Sequence, residues 1–109
     1  MKQHDPNKAI DYIIANAQKF AEAKANRVYL DEFRKSKKAL LMSQSSAEAA
    51  NAREQAAYAH PEYLELLNGI RAAVEIEEKL KWELEAARLR VDVWRSQETS
   101  NRMQERATQ

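Results

Sequence analysis

The sequence predicts an all-α protein built on a long, coiled-coil-like antiparallel helical hairpin. Among its 109 residues are one Gly and two Pro, which leaves little material for turns, sandwiches or barrels. Ala, Glu, Gln, Lys, Arg and Leu dominate the chain, and these residues have the highest helix propensity. We expect a single elongated helical domain over residues 1–109, with helices over about 6–58 and 61–106.

The first predicted helix has a defined start and an open question near its middle. Asp5 is a suitable N-cap, and Pro6 fits the first helical position because its missing N–H had no partner there. Near residues 43–46 two readings stay open: the helix continues, or it breaks where Ser45 and Glu48 have the spacing of a capping box. Apolar residues at three- and four-residue spacing predict its packing face: Ile10, Ile13, Ile14, Ala17, Phe20 and Ala21.

The second predicted helix begins at Pro61, which cannot continue a preceding helix and shifts His60 away from helical dihedrals. From Tyr63 onward the helix carries a heptad repeat, which predicts a coiled-coil seam. The a positions are Tyr63, Ile70, Glu77, Leu84, Val91 and Glu98, and the d positions are Leu66, Ala73, Leu80, Ala87 and Trp94.

A second apolar stripe lies on the opposite side of this helix, at Trp82, Leu89 and Val93. A helix that is apolar on two sides is normally buried on two sides, so a lone hairpin would leave one stripe in water. We therefore predict a homodimer or higher oligomer that forms a helical bundle. The predicted oligomer interface consists of Trp82, Leu89, Val93, Leu84, Val91 and Trp94.

The charge balance argues against a strongly nucleic-acid-like surface, because 18 basic and 17 acidic residues give a net charge of +1. One basic patch stands out, formed by Arg34, Lys35, Lys37 and Lys38. It would suit contact with phosphates, although a solvated charged surface is the commoner explanation of such a run. Tyr58 and Tyr63 flank Pro61 and are candidate contacts for a partner protein.

The residues needed for catalysis or cofactor binding are scarce. The chain has no Cys, and His4 and His60 are its two imidazoles. Neither occurs in a catalytic or metal-binding spacing, so we expect a non-enzymatic protein without cofactor, metal or catalytic residues. No apolar run approaches the length of a membrane span, and the first residues lack a signal-peptide core, so we expect a cytoplasmic protein without membrane contact.

Two segments, AAYAHPEY at 56–63 and RVDVWR at 90–95, resemble small uncharacterised helical proteins encoded in temperate-phage and prophage early regions of proteobacteria. Such proteins are often encoded near single-strand annealing proteins and exonucleases. The resemblance implies an accessory role in recombination or replication in the bacterial host cytoplasm, and it transfers no site residues.

Two functions follow as expectations. The first is a non-enzymatic oligomeric helical interaction protein, a phage or prophage accessory factor that binds a protein partner. The alternative is a nucleic-acid-binding accessory of DNA recombination or replication that uses the patch from Arg34 to Lys38.

Overall fold

The computed structural model describes residues 5–108, and this part of the chain is all-α, as predicted. It contains α1 (Pro6–Gln44), α2 (Ala50–Ala59) and α3 (Pro61–Thr108). The described residues form two compact units: residues 5–20 with 79–108, and residues 21–78. None of the described helices is long and apolar enough to cross a membrane.

In the unit of residues 21–78, α1 and α3 pack antiparallel, which confirms the predicted hairpin pairing of these helices. Arg27 lies 2.6 Å from Glu77, and Lys37 lies 3.2 Å from Glu62, so a position later in α1 meets one earlier in α3. A small apolar cluster joins all three helices of this unit and consists of Leu41, Met42, Ala57 and Tyr63.

The first half of the chain does not form one continuous helix, which is one of the two alternatives that the sequence allows. Residues 45–49 separate α1 from α2. The predicted capping box is wrong, because the Ser45 hydroxyl accepts from the Ala47 N–H at 3.2 Å and α2 begins at Ala50 without a side-chain cap. Arg53 instead stabilises this turn by donating to the Glu48 carbonyl at 2.7 Å.

The junction between α2 and α3 lies at His60, as predicted from Pro61. His60 has extended dihedrals, with φ −66° and ψ 136°. Its Nδ1 accepts from the Glu62 N–H at 3.1 Å, and its carbonyl accepts from the Tyr63 and Leu64 N–H groups. His60 thus satisfies backbone donors at the start of α3 that have no partner within the helix.

In the unit of residues 5–20 and 79–108, α1 begins with the predicted cap. The Asp5 carboxylate accepts from the Asn7 N–H at 2.9 Å. Further along, the Tyr12 hydroxyl donates to Glu83 and so connects α1 with α3. Ala9 and Ala87 are buried in this unit.

The heptad seam of α3 is visible in the burial of its side chains. In the segment up to Glu78, the buried or half-buried positions are the predicted a and d residues Tyr63, Leu66, Ile70, Ala73 and Glu77. In the segment from Lys79, they include Leu80, Leu84, Ala87, Val91 and Glu98, whereas Trp94, which was also predicted at a d position, is 37% exposed. A repeat of seven residues therefore identified the packing face of α3 from sequence.

The packing face predicted for α1 is wrong in part. Ile13 and Phe20 are half-buried, but Ile10 is 41% and Ile14 is 70% exposed, and Ala17 and Ala21 are exposed. The burial follows a different line, through residues Ala9, Ile13, Asn16, Phe20, Ala23, Arg27, Leu30, Lys37 and Leu41. A seam between two helices covers about two positions per heptad, so a broad apolar stripe leaves part of its width in water.

Candidate functional site

The outer face of α3 presents an apolar surface to solvent, within the unit of residues 5–20 and 79–108. We define this outer face by Trp82, Ala86, Leu89 and Val93, which repeat at four- and three-residue spacing and so share one side of the helix. Trp82 is 63% exposed, Leu89 55% and Val93 52%. The described part of the chain therefore does not bury this stripe.

The other three residues of the predicted oligomer interface lie elsewhere on α3. Leu84 and Val91 are half-buried at a positions of the seam, and Trp94, at a d position, is 37% exposed. The structure thus separates the six residues into an outer set and a seam set. The outer set is available to a second chain without opening the pairing of α1 with α3, and Trp94 is partly accessible as well.

Charged residues border the outer face on both edges. Glu83 and Arg90 lie on one edge, and Glu85 and Asp92 lie on the other. Arg88 donates to Glu85 at 2.9 Å, and this hydrogen bond, with further attraction from Asp92, raises the pKa of Arg88. The apolar face therefore lies between two rows of fixed charge.

A second candidate site is a cleft in the unit of residues 21–78. It has a volume of about 310 Å³ and unites two sets of residues that the sequence analysis had considered separately. Its lining consists of Arg34, Lys35 and Lys38 from the basic patch, and Tyr58 and Tyr63 from the region of Pro61. We call this volume the Arg–Tyr cleft.

Lys38 occupies a fixed position at the Arg–Tyr cleft. Its ammonium nitrogen lies 2.9 Å from a Glu54 carboxylate oxygen and 4.8 Å from the centre of the Tyr58 ring. A hydrogen bond with the Tyr58 hydroxyl, followed by that with Glu54, raises the pKa of Lys38. Tyr58 and Tyr63 meet edge to face with ring centres 5.3 Å apart. Lys38 is therefore charged and held from two sides.

The remaining cations of the patch differ in their surroundings. Lys35 pairs with Glu32 at 3.5 Å on an exposed surface, whereas Lys37 pairs with Glu62 and lines a different groove, beside Phe33. Arg34 is exposed and has no ion pair among residues 5–108. The four charges thus do not form one strip, and three of them have carboxylate partners.

Glu54 and Glu62 are the site residues that the sequence analysis missed. Both neutralise cations of the patch from helices that follow the chain reversal at 45–49. The separation in sequence is 16 residues for Lys38 and Glu54, so no helical spacing rule connects them. The sequence shows only that Glu54 and Glu62 are negatively charged, and charge alone does not indicate which cation each of them pairs with.

The histidines and acidic residues do not assemble a metal site in the described structure. Between residues 5 and 108, no group of three or more His, Asp or Glu side chains is arranged to hold a metal ion. His60 serves as the cap of α3, and His4 lies outside the described residues. That the protein is not an enzyme stays a prediction.

Comparison of the chain with models of known protein families, with curated proteins and with solved structures found no match. The outer face of α3 and the Arg–Tyr cleft are therefore the features of the molecule that indicate its function.

Proposed function

We propose that this chain is a non-enzymatic helical interaction protein that self-associates through the outer face of α3. The observation that carries the proposal is the joint exposure of Trp82, Leu89 and Val93 on one side of the helix. Scattered exposed apolar residues are ordinary, but a contiguous patch that includes Trp is typical of an interface.

The thin core of the described chain supports this proposal. Its buried apolar residues are Ala9, Leu41, Ala57, Tyr63, Ala73 and Ala87, and none of the larger ones is fully buried. Burial stabilises in proportion to apolar area, roughly 25 cal/mol per Å², so alanines contribute little. A second copy seated on the outer face would bury side chains that are much larger than those in the present core.

The outer face is self-complementary when two α3 helices pair antiparallel around a two-fold axis. In this arrangement Trp82 would pack against Val93 of the second copy, and Ala86 against Leu89. On one edge, Glu83 would approach Arg90 of the second copy. Opposite charges on facing edges of a coiled coil favour one orientation and register.

The second edge offsets part of this attraction, because Glu85 would then face Asp92 of the second copy. Arg88 lies between the two carboxylates of its own chain, bonded to Glu85 and attracted by Asp92. Each edge of the dimer would thus contain cations as well as anions. The apolar face, together with the Glu83–Arg90 edge, makes a second copy of the chain the proposed occupant.

The resemblance of segments 56–63 and 90–95 supports the biological setting that we propose. The chain would be a phage or prophage accessory factor in the host cytoplasm, and the dimer would bind a further protein through surfaces such as that around Tyr58. The alternative, a nucleic-acid-binding accessory, has less support, because the four cations from Arg34 to Lys38 do not form one strip and Lys37 lines a different groove.

Light scattering and sedimentation of the purified chain test the self-association. We expect a dimer at tens of micromolar, and a monomer of unchanged helicity when Leu89→Glu and Val93→Glu are combined, because buried carboxylates would lack partners. Ile76→Glu is the matched control, since Ile76 is 56% exposed on α3 but outside the outer face. A monomeric wild-type chain, or equal disruption by the control, would contradict the proposal.

A further inference from the structure

We propose that the Arg–Tyr cleft is a binding site for a phosphate group. The cleft lies wholly within residues 21–78, whereas the outer face of α3 lies within the other unit. The proposal therefore does not rest on self-association.

Two cationic side chains of the cleft, Arg34 and Lys35, can bind an anion without breaking a strong ion pair. Arg34 has no ion pair within the described residues, so its planar guanidinium is available to bind two phosphate oxygens at once. Within residues 5–108, Lys35 forms an ion pair with Glu32 alone, at 3.5 Å, and the two side chains are 77% and 69% exposed. Such surface pairs are weak, so a phosphate would compete for Lys35 effectively.

Lys38 adds a preorganised donor. The Glu54 carboxylate and the face of the Tyr58 ring occupy two directions around its ammonium group, and an ammonium has three N–H donors, so a further direction is left for a ligand. Tyr58 lines the same cleft, and its phenol hydroxyl can donate a hydrogen bond to an anion. Donors that are already held lose little side-chain freedom on binding.

The charge balance favours phosphate over a carboxylate. Arg34, Lys35 and Lys38 contribute three positive charges around one volume, of which Glu54 offsets one and the exposed Glu32 pairs with another. A phosphate monoester carries about −1.5 to −2 charges at neutral pH, so it competes with Glu32 for Lys35 more effectively than the single charge of a carboxylate would. A volume of about 310 Å³ admits a phosphate with part of the group that carries it.

The same chemistry is available from two sources, a free phosphate ester or the backbone of a single-stranded nucleic acid. Titrations of the full-length chain at low salt distinguish the two sources. Binding is measured by calorimetry and by the chemical-shift changes of amides around Arg34 and Tyr58. The probes are inorganic phosphate, adenosine monophosphate, adenosine, and an oligothymidylate that has backbone phosphates but no terminal phosphate. We expect the phosphate-bearing probes to bind and adenosine not to bind.

Tighter binding of the monophosphate than of the oligonucleotide would identify a free phosphate ester as the ligand, and the reverse order would identify nucleic acid. Arg34→Gln should weaken either interaction about tenfold by removing a two-point contact. It should leave the fold unchanged, because Arg34 is exposed and has no ion pair in the described chain.

Arg102→Gln is the matched control, since it removes the same charge from an exposed position in the other unit. We expect it to leave binding nearly unchanged. If none of the phosphate-bearing probes binds, or if both substitutions weaken binding equally, the cleft is not a phosphate site.

Discussion

Arg27 of α1 binds Glu77 of α3 with two hydrogen bonds, from Nε to Oε2 at 2.6 Å and from Nη2 to Oε1 at 3.0 Å. Glu77 is 8% exposed, and it occupies an a position of the seam. Asp31 lies 3.4 Å from the same guanidinium. A planar, bidentate pair of this kind restricts the register of the two helices in the unit of residues 21–78.

Replacing Arg27 alone should therefore destabilise the protein more than replacing Arg27 and Glu77 together. Arg27→Met leaves the Glu77 carboxylate buried without its main cation, so we expect a clear loss of stability. Combining Arg27→Met with Glu77→Leu replaces both charges by apolar groups and should recover most of that loss. Chemical unfolding of the four proteins measures the coupling. A double variant less stable than Arg27→Met alone would show that the pair does not act as a unit.

The start of α1 should depend on the Asp5 cap. Asp5→Ala removes the acceptor for the Asn7 N–H, and the loss of such a cap costs about 1 kcal/mol of unfolding free energy. Asp11→Ala is the matched control, because Asp11 is exposed within α1 and Ala has the higher helix propensity. Urea unfolding followed by circular dichroism should show destabilisation for Asp5→Ala only.

Gly69→Ala should stabilise the protein by about 0.5–1 kcal/mol, because Gly in a helix interior loses more backbone freedom on folding than Ala. A Cβ at this position would meet no atom within 4 Å in the described chain. Ala72→Gly, at an exposed position of α3, should cost a similar amount. Thermal unfolding compares the two, and destabilisation by Gly69→Ala would reveal a close contact there in the assembled protein.

The bond between Tyr12 and Glu83 should make stability depend on alkaline pH. This hydrogen bond, followed by burial and by repulsion from Glu83, raises the pKa of Tyr12 above its ordinary value of 10.0. The folded state thus favours the protonated phenol. Its contribution is complete below the ordinary pKa and is lost as the pH rises through the raised pKa.

Tyr12→Phe removes this contribution, so the difference in melting temperature from wild type should be present at pH 8 and shrink above the raised pKa of Tyr12. Tyr29→Phe is the control, since Tyr29 is 65% exposed and stacks on Phe33 with ring centres 6.1 Å apart. A difference for Tyr12→Phe that stays constant across this range would exclude the proposed linkage.

Local signals predicted the helix boundaries well. Asp5 with Pro6, and His60 with Pro61, define backbone dihedrals and hydrogen bonds within a few residues, so these ends follow from neighbouring chemistry. The Ser45–Glu48 spacing located a real break but not its mechanism, because a hydroxyl has several nearby N–H groups to bind.

The sequence predicted the packing face of α3 better than that of α1. In α3 the burial follows the predicted heptad from Tyr63 to Val91, whereas Trp94 at the next d position is exposed. In α1 the apolar stripe is wider than the seam, while the seam itself includes Asn16, Arg27 and Lys37. Apolarity alone therefore selected the wrong edge, and an ion pair such as Arg27–Glu77 is visible only when both helices are in place.

The sequence by itself determined the helical class, the start of α1, the junction at His60 and Pro61, and the seam of α3, since each depends on residues within one or two turns. Tertiary structure alone decided which edge of α1 faces inward, and which carboxylates neutralise Lys37 and Lys38. It also placed Arg34 beside Tyr58. These outcomes depend on the chain reversal at 45–49 and on the register of packed helices, and no local spacing encodes either of them.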